Sequence, residues 1–245
     1  MLACYNLKKY FGGIKAVDDC SFEVKDNTVT ALIGPNGAGK STVFNMISGI
    51  VKPEAGHIVF DDIDITNLSI EEISNCGISR LFQKVTLFDN LTVRDNLLLA
   101  IDNEDTKFWK NLFGLNKFNK ENEDKIKEML RLVAMERMEN ALAKDLSYGQ
   151  KRLIELCRTV LNPHKLLMLD EPVAGVTAKL REKIADFLKN LKFSKETILL
   201  IEHDMNFTLT ISDWVIVMEK GRVIAEGTPE DIKNNPKVLE AYLGE

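Results

Sequence analysis

The chain is poor in several features that would sort it quickly. Its 245 residues hold four cysteines (Cys4, Cys20, Cys76 and Cys157), scattered and without a C-x-x-C pair. That scatter points to reduced core or surface thiols of a cytosolic protein rather than to a disulfide framework. No stretch approaches the roughly 18 consecutive apolar residues of a spanning helix. The opening MLACYNLKKYFGG has no sustained apolar region of a secretory signal, and the closing AYLGE carries no lipidation signal. The chain is therefore expected to reach a membrane only through a partner. A basic excess is missing too: the formal net charge is −5, which speaks against a dedicated nucleic-acid binder with its basic face. There is no internal repeat and no low-complexity tract.

What is present is a globular composition, 45% hydrophobic, in a length that suits one large domain or a domain with an inserted subdomain. Three short apolar runs stand out: VTALI (29–33), LLML (166–169) and TILLI (197–201). None alternates, as expected of strands buried on both faces. Each runs straight into polar residues, Gly34, Asp170, and Glu202 with His203. Helical patterns lie between them, so the chain reads as α/β with a mainly parallel sheet and functional groups at the C-terminal strand ends. WVIVM (214–218) and the following EKGRVIAEG read as a hairpin, and KPEAGHIVFDDIDIT (52–66) as antiparallel strands around a turn. Asp61, Asp62 and Asp64 in that stretch lack the glycine and distal glutamate of a calcium loop and read as a solvated turn. Residues 103–140 are charged and helical, with aromatics at Phe108, Trp109, Phe113 and Phe118 that pack internally or present a docking patch.

GPNGAGKST (34–42) fits G-x-x-x-x-G-K-[ST] in full, directly after the VTALI strand and before the helical VFNMISGI. Glycines let backbone amides turn inward around phosphate. Lys40 places a positive charge near the β- and γ-phosphates, Ser41 suits a magnesium ion, and Thr42 the α-phosphate. LLMLDEP (166–172) ends a buried strand in Asp170, placed to hold magnesium through water, followed by Glu171, placed to polarise an attacking water as general base. His203, at the end of the third strand, is placed for a polar contact to the γ-phosphate. KDLSYGQKRLIELCRTVL (144–161) begins with Ser147-x-x-Gln150, the spacing of a capping box, ahead of one apolar helix face at Leu153, Ile154, Leu156, Cys157, Val160 and Leu161. Taken alone, that start is an ordinary cap or an anion-binding helix end.

A phosphate loop alone leaves several classes open. A GTPase would carry N-K-x-D, but NKFN (116–119) ends in Asn119 and no D-x-x-G occurs. A small-molecule kinase needs only the loop and a lid, and leaves the other motifs unexplained.

The motifs in chain order are Phe11 in KKYFGG, GPNGAGKST, Gln83 in RLFQKVTLFDNLTVRDNL, LSYGQ, LLMLDEP and EH. This set resembles the nucleotide-binding subunit of an ABC transporter over essentially the whole chain. FGGIKAVDDCSFEV, the YGQ form of the signature, EPVAGV, IEHDM and EGTPEDIKNNPKVLEAYLGE are similar to the ATPases of branched-chain amino acid importers. Lipopolysaccharide-export and urea-import ATPases are close relatives of that branch.

The resemblance implies a P-loop NTPase of the α/β class, with a mainly parallel core sheet, an antiparallel β subdomain and an inserted α-helical subdomain. Residues 1–245 would be one ATPase domain, with a core at 1–85 and 161–245 and a helical subdomain at 86–160 carrying the signature. Phe11 would stack on adenine, with Tyr10 the less suited neighbour. Gly34, Pro35, Asn36, Gly37, Ala38, Gly39, Lys40, Ser41 and Thr42 would hold ATP. Ser41, Gln83 and Asp170 would lie at Mg2+, with Gln83 also near the attacking water. Glu171 would be the base, with His203, Gln83 and Lys40 completing the catalytic set. Ser147, Tyr148, Gly149 and Gln150 would close on ATP held by the opposite subunit.

Implied partners are a second ATPase subunit, identical or a paralogue, transmembrane permease subunits and a periplasmic or extracellular solute-binding protein, with no nucleic acid. The implied location is peripheral, on the cytoplasmic face of the inner or plasma membrane. Two departures stand out. Tyr148 replaces the first glycine of LSGGQ, while Gly149, the glycine that must approach phosphate, is kept. AGVT ends in Thr177 where Asp or Asn is usual, which removes a charge from a position of cross-subunit coupling. Competing readings are a soluble ABC ATPase acting on nucleic acid or ribosomes, against which stand the single cassette and the acidic charge, and a regulatory ATP-binding module without turnover, against which stand Lys40, Asp170, Glu171 and His203.

Overall fold

The computed structural model describes residues 1–101 and 120–243. The aromatic cluster at Phe108, Trp109, Phe113 and Phe118, and the NKFN stretch, lie outside the described residues. Contacts divide the chain into two compact units. The first is Met1–Arg80, Lys165–Glu171 and Lys189–Glu245; the second is Leu81–His164 and Pro172–Leu188.

In chain order the elements are β1 (Leu2–Phe11), β2 (Ile14–Val24), β3 (Val29–Ile33), α1 (Lys40–Ile47), β4 (Ala55–Phe60), β5 (Ile63–Asp64), α2 (Ile70–Asn75) and β6 (Ile78–Leu81). There follow α3 (Val93–Ile101), α4 (Lys120–Leu132) and α5 (Tyr148–Leu161). The chain continues as β7 (Leu166–Asp170), α6 (Ala178–Phe193), β8 (Ile198–Ile201), α7 (Met205–Ile211), β9 (Trp214–Glu219), β10 (Arg222–Gly227), α8 (Pro229–Lys233) and α9 (Pro236–Leu243). Among the described residues, no helix is long and apolar enough to cross a membrane.

Two sheets form among the described residues. One has the order β2-β1-β4-β5 and is antiparallel. The other has the order β10-β9-β3-β8-β7-β6, with parallel pairing of β3 to β8 and β9 and of β7 to β8, and an antiparallel β9–β10 hairpin. VTALI is β3 residue for residue, and LLML, TILLI and WVIVM fall in β7, β8 and β9. Every residue of β3, β7 and β8 is buried, because each strand has neighbours on both edges and side chains packed on both faces. That double burial is why their sequences do not alternate.

α1 supplies Val43, Phe44, Met46 and Ile47 to a core that also takes Leu7, Phe22, Ile58 and Phe60 from the antiparallel sheet and Leu32, Met168, Leu199 and Ile201 from the parallel one. One short helix therefore seals both sheets of the first unit, and its N-terminus is held where the β3 loop delivers it.

In the second unit the buried face of α5 includes Leu153, Ile154, Leu156 and Cys157, as its spacing predicts, but also Arg152, Glu155 and Thr159. Val160 and Leu161 are only half-buried. Arg152 and Glu155 brace a loop, and the Thr159 hydroxyl donates to the Glu155 carbonyl of its own helix.

Phe44 is fully buried in the core shared by both sheets. Phe44→Ala should lower stability by about 3–5 kcal/mol, read as a shift in the urea-unfolding midpoint without a change in slope.

Candidate functional site

β3 stops at Gly34 and the chain turns through Pro35–Gly39 into α1. The turn is shaped by what surrounds it. A Cβ on Gly34 would lie 2.1 Å from the carbonyl oxygen of Met218, and a Cβ on Gly39, at φ +100°, would lie 2.3 Å from the carbonyl oxygen of Ala16. Gly221 N donates to Ala38 O at 3.0 Å, and Asp18 N donates to Gly221 O at 2.9 Å. The loop is thus gripped by β2 and by the β9–β10 turn through backbone alone. Gly39 precedes α1 in a left-handed conformation, with no side-chain cap on the helix. The amides of the first turn are left to an incoming anion, and the helix dipole favours one. Lys40 is buried, and its Nζ donates to the carbonyls of Gly34 at 2.6 Å and Pro35 at 2.9 Å. Asn36, Gly37 and Ser41 are exposed around it.

Asp170 closes β7, buried, with its Oδ2 taking a bond from Arg80 Nη2 at 2.8 Å. Glu171 follows with φ +48°, a left-handed conformation that costs a non-glycine residue about 1–2 kcal/mol. Its N–H donates to Ile201 O at 3.0 Å, so the tight turn is pinned to the end of β8. There His203 Nε2 stands 2.6 Å from Glu171 Oε1 and donates to it. The three polar residues after β8 divide sharply. Glu202 is buried, Asp204 caps α7 by accepting from Phe207 N, and His203 alone presents an exposed ring, 45% accessible.

FGG is the tip of the β1–β2 hairpin: Phe11 pairs with Ile14 across the two glycines, and Gly12 has φ +57°. Phe11 is half exposed, with Lys9 Nζ 5.5 Å from its ring centre. Tyr10 is tied down. Its N–H donates to Glu54 Oε2 at 2.6 Å and its hydroxyl donates to Asp18 Oδ1 at 3.2 Å. Desolvation and the Asp18 carboxylate push its phenol above the ordinary value, while Arg222 and Tyr10 hold Asp18 below its own. Of the two aromatics, Phe11 is the more exposed.

Gln83 and the signature belong to the second unit. The capping box is present: Ser147 N donates to Gln150 Oε1 at 2.9 Å, and Gln150 N donates to Ser147 Oγ at 3.4 Å. Ser147 is exposed, Tyr148 is half exposed, and a Cβ on Gly149 would lie 2.5 Å from the end of Leu180. Thr177 is exposed, and its carbonyl accepts from Arg181 N at 2.9 Å as α6 begins. Gln83 is exposed in a loop braced from α5. Arg152 Nη1 donates to Phe82 O at 2.6 Å, and Glu155 Oε1 accepts from both N and Oγ1 of Thr86.

The first unit therefore gathers Phe11, the 34–42 loop, Asp170, Glu171 and His203, and the second gathers Gln83 with Ser147–Gln150. Residues that the sequence reading passed over are Ala16, Met218 and Gly221 around the loop, Arg80 at Asp170, and Arg152 with Glu155 behind Gln83. Only the charged side chains inside otherwise apolar segments, in ISRL and in RLIEL, carried a signal, since such groups are buried only when paired. A serine hydroxyl and an aspartate carboxylate, such as Ser41 and Asp170 offer, are hard oxygens of the kind that fit magnesium, an ion that takes one or two protein oxygens beside phosphate and water.

Comparison with known proteins points to one family. A family model described as ABC transporter matches residues 17–174, and one described as branched-chain amino acid ATP-binding cassette transporter matches residues 222–245. The chain is 38% identical over 250 residues to the high-affinity branched-chain amino acid transport ATP-binding protein LivG of Salmonella typhimurium, covering 100% of this chain and 98% of that one. The ADP conformation of an ATP-binding cassette of an ABC transporter superposes with a TM-score of 0.84 at 35% identity, covering 100% of this chain and 99% of the other. A dimeric, post-hydrolysis ATP-binding cassette bound to ADP and Pi superposes with a TM-score of 0.77 at 25% identity, covering 94% and 99%.

Gly39→Ala would force a Cβ against the Ala16 carbonyl at a φ that costs about 1–3 kcal/mol. It should keep the far-ultraviolet circular dichroism of the parent and bind a fluorescent ATP analogue at least about tenfold more weakly, measured by anisotropy titration.

Proposed function

The chain belongs to the ABC transporter family of ATP-binding cassettes, and we propose that it is the ATP-hydrolysing subunit of a branched-chain amino acid importer, working as one of a pair. The observation that carries the reading is the convergence in one unit of an uncapped helix start behind a glycine loop, Lys40, and the Glu171–His203 pair at 2.6 Å. The name of LivG and the C-terminal match at residues 222–245 support the solute class. The single domain would span 1–245, its core at 1–85 and 161–245 and its helical part at 86–160.

In this reading Phe11 stacks on adenine while Lys9 and the hairpin hold the ring in place. Amides of residues 37–42 and the Lys40 ammonium take the phosphates, the lysine giving up its bonds to the Gly34 and Pro35 carbonyls. Ser41 and Asp170 would hold Mg2+, and the resemblance assigns Gln83 to the same ion. When bound, that ion neutralises charge on the transferring phosphate. Glu171 takes the proton of the attacking water, and His203, donating to Glu171 from Nε2, keeps the carboxylate oriented and its own ring beside the γ-phosphate. The chain has one phosphate loop and one signature. Ser147, Tyr148, Gly149 and Gln150 then serve the ATP of the opposite subunit, an arrangement supported by the dimeric form of a cassette similar to this one. The other partners are transmembrane permeases and a solute-binding protein outside the membrane, which places the subunit peripherally on the cytoplasmic face.

Glu171→Gln should reduce turnover by about 10²–10⁴-fold while ATP binding persists and a closed dimer accumulates on gel filtration; turnover at the parent rate would remove Glu171 as the base. Ser147→Arg should leave ATP binding by the monomer intact and abolish ATP-driven dimerisation, measured by light scattering. Finally, the membrane complex copurified with the chain should show ATPase stimulation by leucine, isoleucine or valine with its binding protein. Stimulation by another solute alone would reassign the substrate, and copurification of RNA or DNA in place of a membrane protein would sink the transport reading.

A further inference from the structure

β6 reads ISRL and borders β7 in the parallel sheet. Its Arg80 side chain is 7% exposed. A guanidinium that deep needs partners, because an unpaired buried charge costs several kcal/mol. Arg80 meets them on two separate elements. Nη1 donates to Asn45 Oδ1 at 2.9 Å and to Ser48 Oγ at 2.6 Å, in the second half and at the C-cap of α1. Nη2 donates to Asp170 Oδ2 at 2.8 Å, at the end of β7. The guanidinium carbon lies 5.6 Å from the ring centre of Phe44, which also belongs to α1. One side chain thus joins the helix that begins with Lys40 and Ser41 to the aspartate that ends the neighbouring strand.

We propose that Arg80 is the positioning residue of the magnesium site, setting the Asp170 carboxylate against α1 and so against Ser41. This rests on the reading of Ser41 and Asp170 as the protein oxygens at Mg2+. The physical reason is geometric. Mg2+ demands near-ideal octahedral geometry and keeps several of its waters, and a carboxylate free to turn about its side-chain torsions does not hold one of those waters in register. A guanidinium addresses two elements at once through two fixed nitrogens. A lysine keeps the charge but offers its donors from one atom on a flexible stem, without the planar fork that fixes both directions. If Arg80 were no more than a counter-ion for a buried carboxylate, lysine would replace it fully.

The test uses the full chain with Arg80→Lys and Arg80→Met. A fluorescent ADP analogue is titrated in EDTA and at rising Mg2+, and thermal unfolding is followed without nucleotide. Arg80→Lys should unfold close to the parent and bind the analogue equally well in EDTA, with the Mg2+ midpoint raised about 10–100-fold, the usual cost of losing a residue that orients a metal ligand. Arg80→Met should show the same shift and unfold at lower temperature. An unmoved Mg2+ midpoint in Arg80→Lys, or equal losses of affinity in EDTA and in Mg2+, would overturn the inference. A parent protein whose nucleotide affinity ignores Mg2+ would overturn the magnesium reading itself, and the inference with it.

Discussion

The phosphate loop of the first unit depends on a backbone contact: two glycines whose missing side chains let carbonyl oxygens press against it. Met218 O fills the place of a Cβ on Gly34, and Ala16 O that of a Cβ on Gly39. The loop contains three glycines, but main-chain bonds hold it from outside: Gly221 N donates to Ala38 O, and Asp18 N donates to Gly221 O. Such bracing matters, since an anion site made of amides gains little if the amides must first be ordered. The core below serves the same end. α1 holds the loop's far end in place by burying four of its side chains between two sheets.

Charge is handled by pairing at several positions around the site. Lys40 lies against two carbonyls, Asp170 against Arg80, and Glu171 against His203. In the second unit, Arg152 and Glu155 are buried together behind the Gln83 loop. Groups of this kind are costly to bury singly, so their presence marks the segments whose geometry matters. The left-handed backbone of Glu171 is local strain of the same sort. It is held by a bond to the end of β8, and it turns the carboxylate toward His203.

Much of this was legible in the chain. Non-alternating apolar runs located β3, β7, β8 and β9, because a strand packed on both faces has no polar side to show. The S-x-x-Q spacing located the start of α5 and its capping box, because that device is local. Among the aromatics, FGG singled out Phe11, and only the tertiary structure shows that its neighbour Tyr10 is bonded through its N–H to Glu54 and through its hydroxyl to Asp18. At the end of the third strand the sequence singled out His203 and left the roles of Glu202 and Asp204 open. Only their placement separates a buried carboxylate, an exposed imidazole and a helix cap. Val160 and Leu161 fit the apolar face of α5 by spacing yet are half-buried, while Arg152 and Glu155 take the deeper positions.

The sequence by itself determined the class of machine: the phosphate loop, the paired carboxylates, the histidine and the signature are contiguous motifs whose chemistry depends on neighbours in the chain. The tertiary structure alone decided what steadies them. Arg80 meets Asp170 across 90 residues, and Ala16, Met218 and Gly221 meet the loop from strands distant in sequence. Such contacts leave no local pattern, since a carbonyl oxygen belongs to every residue and an isolated arginine reads as surface until a fold buries it.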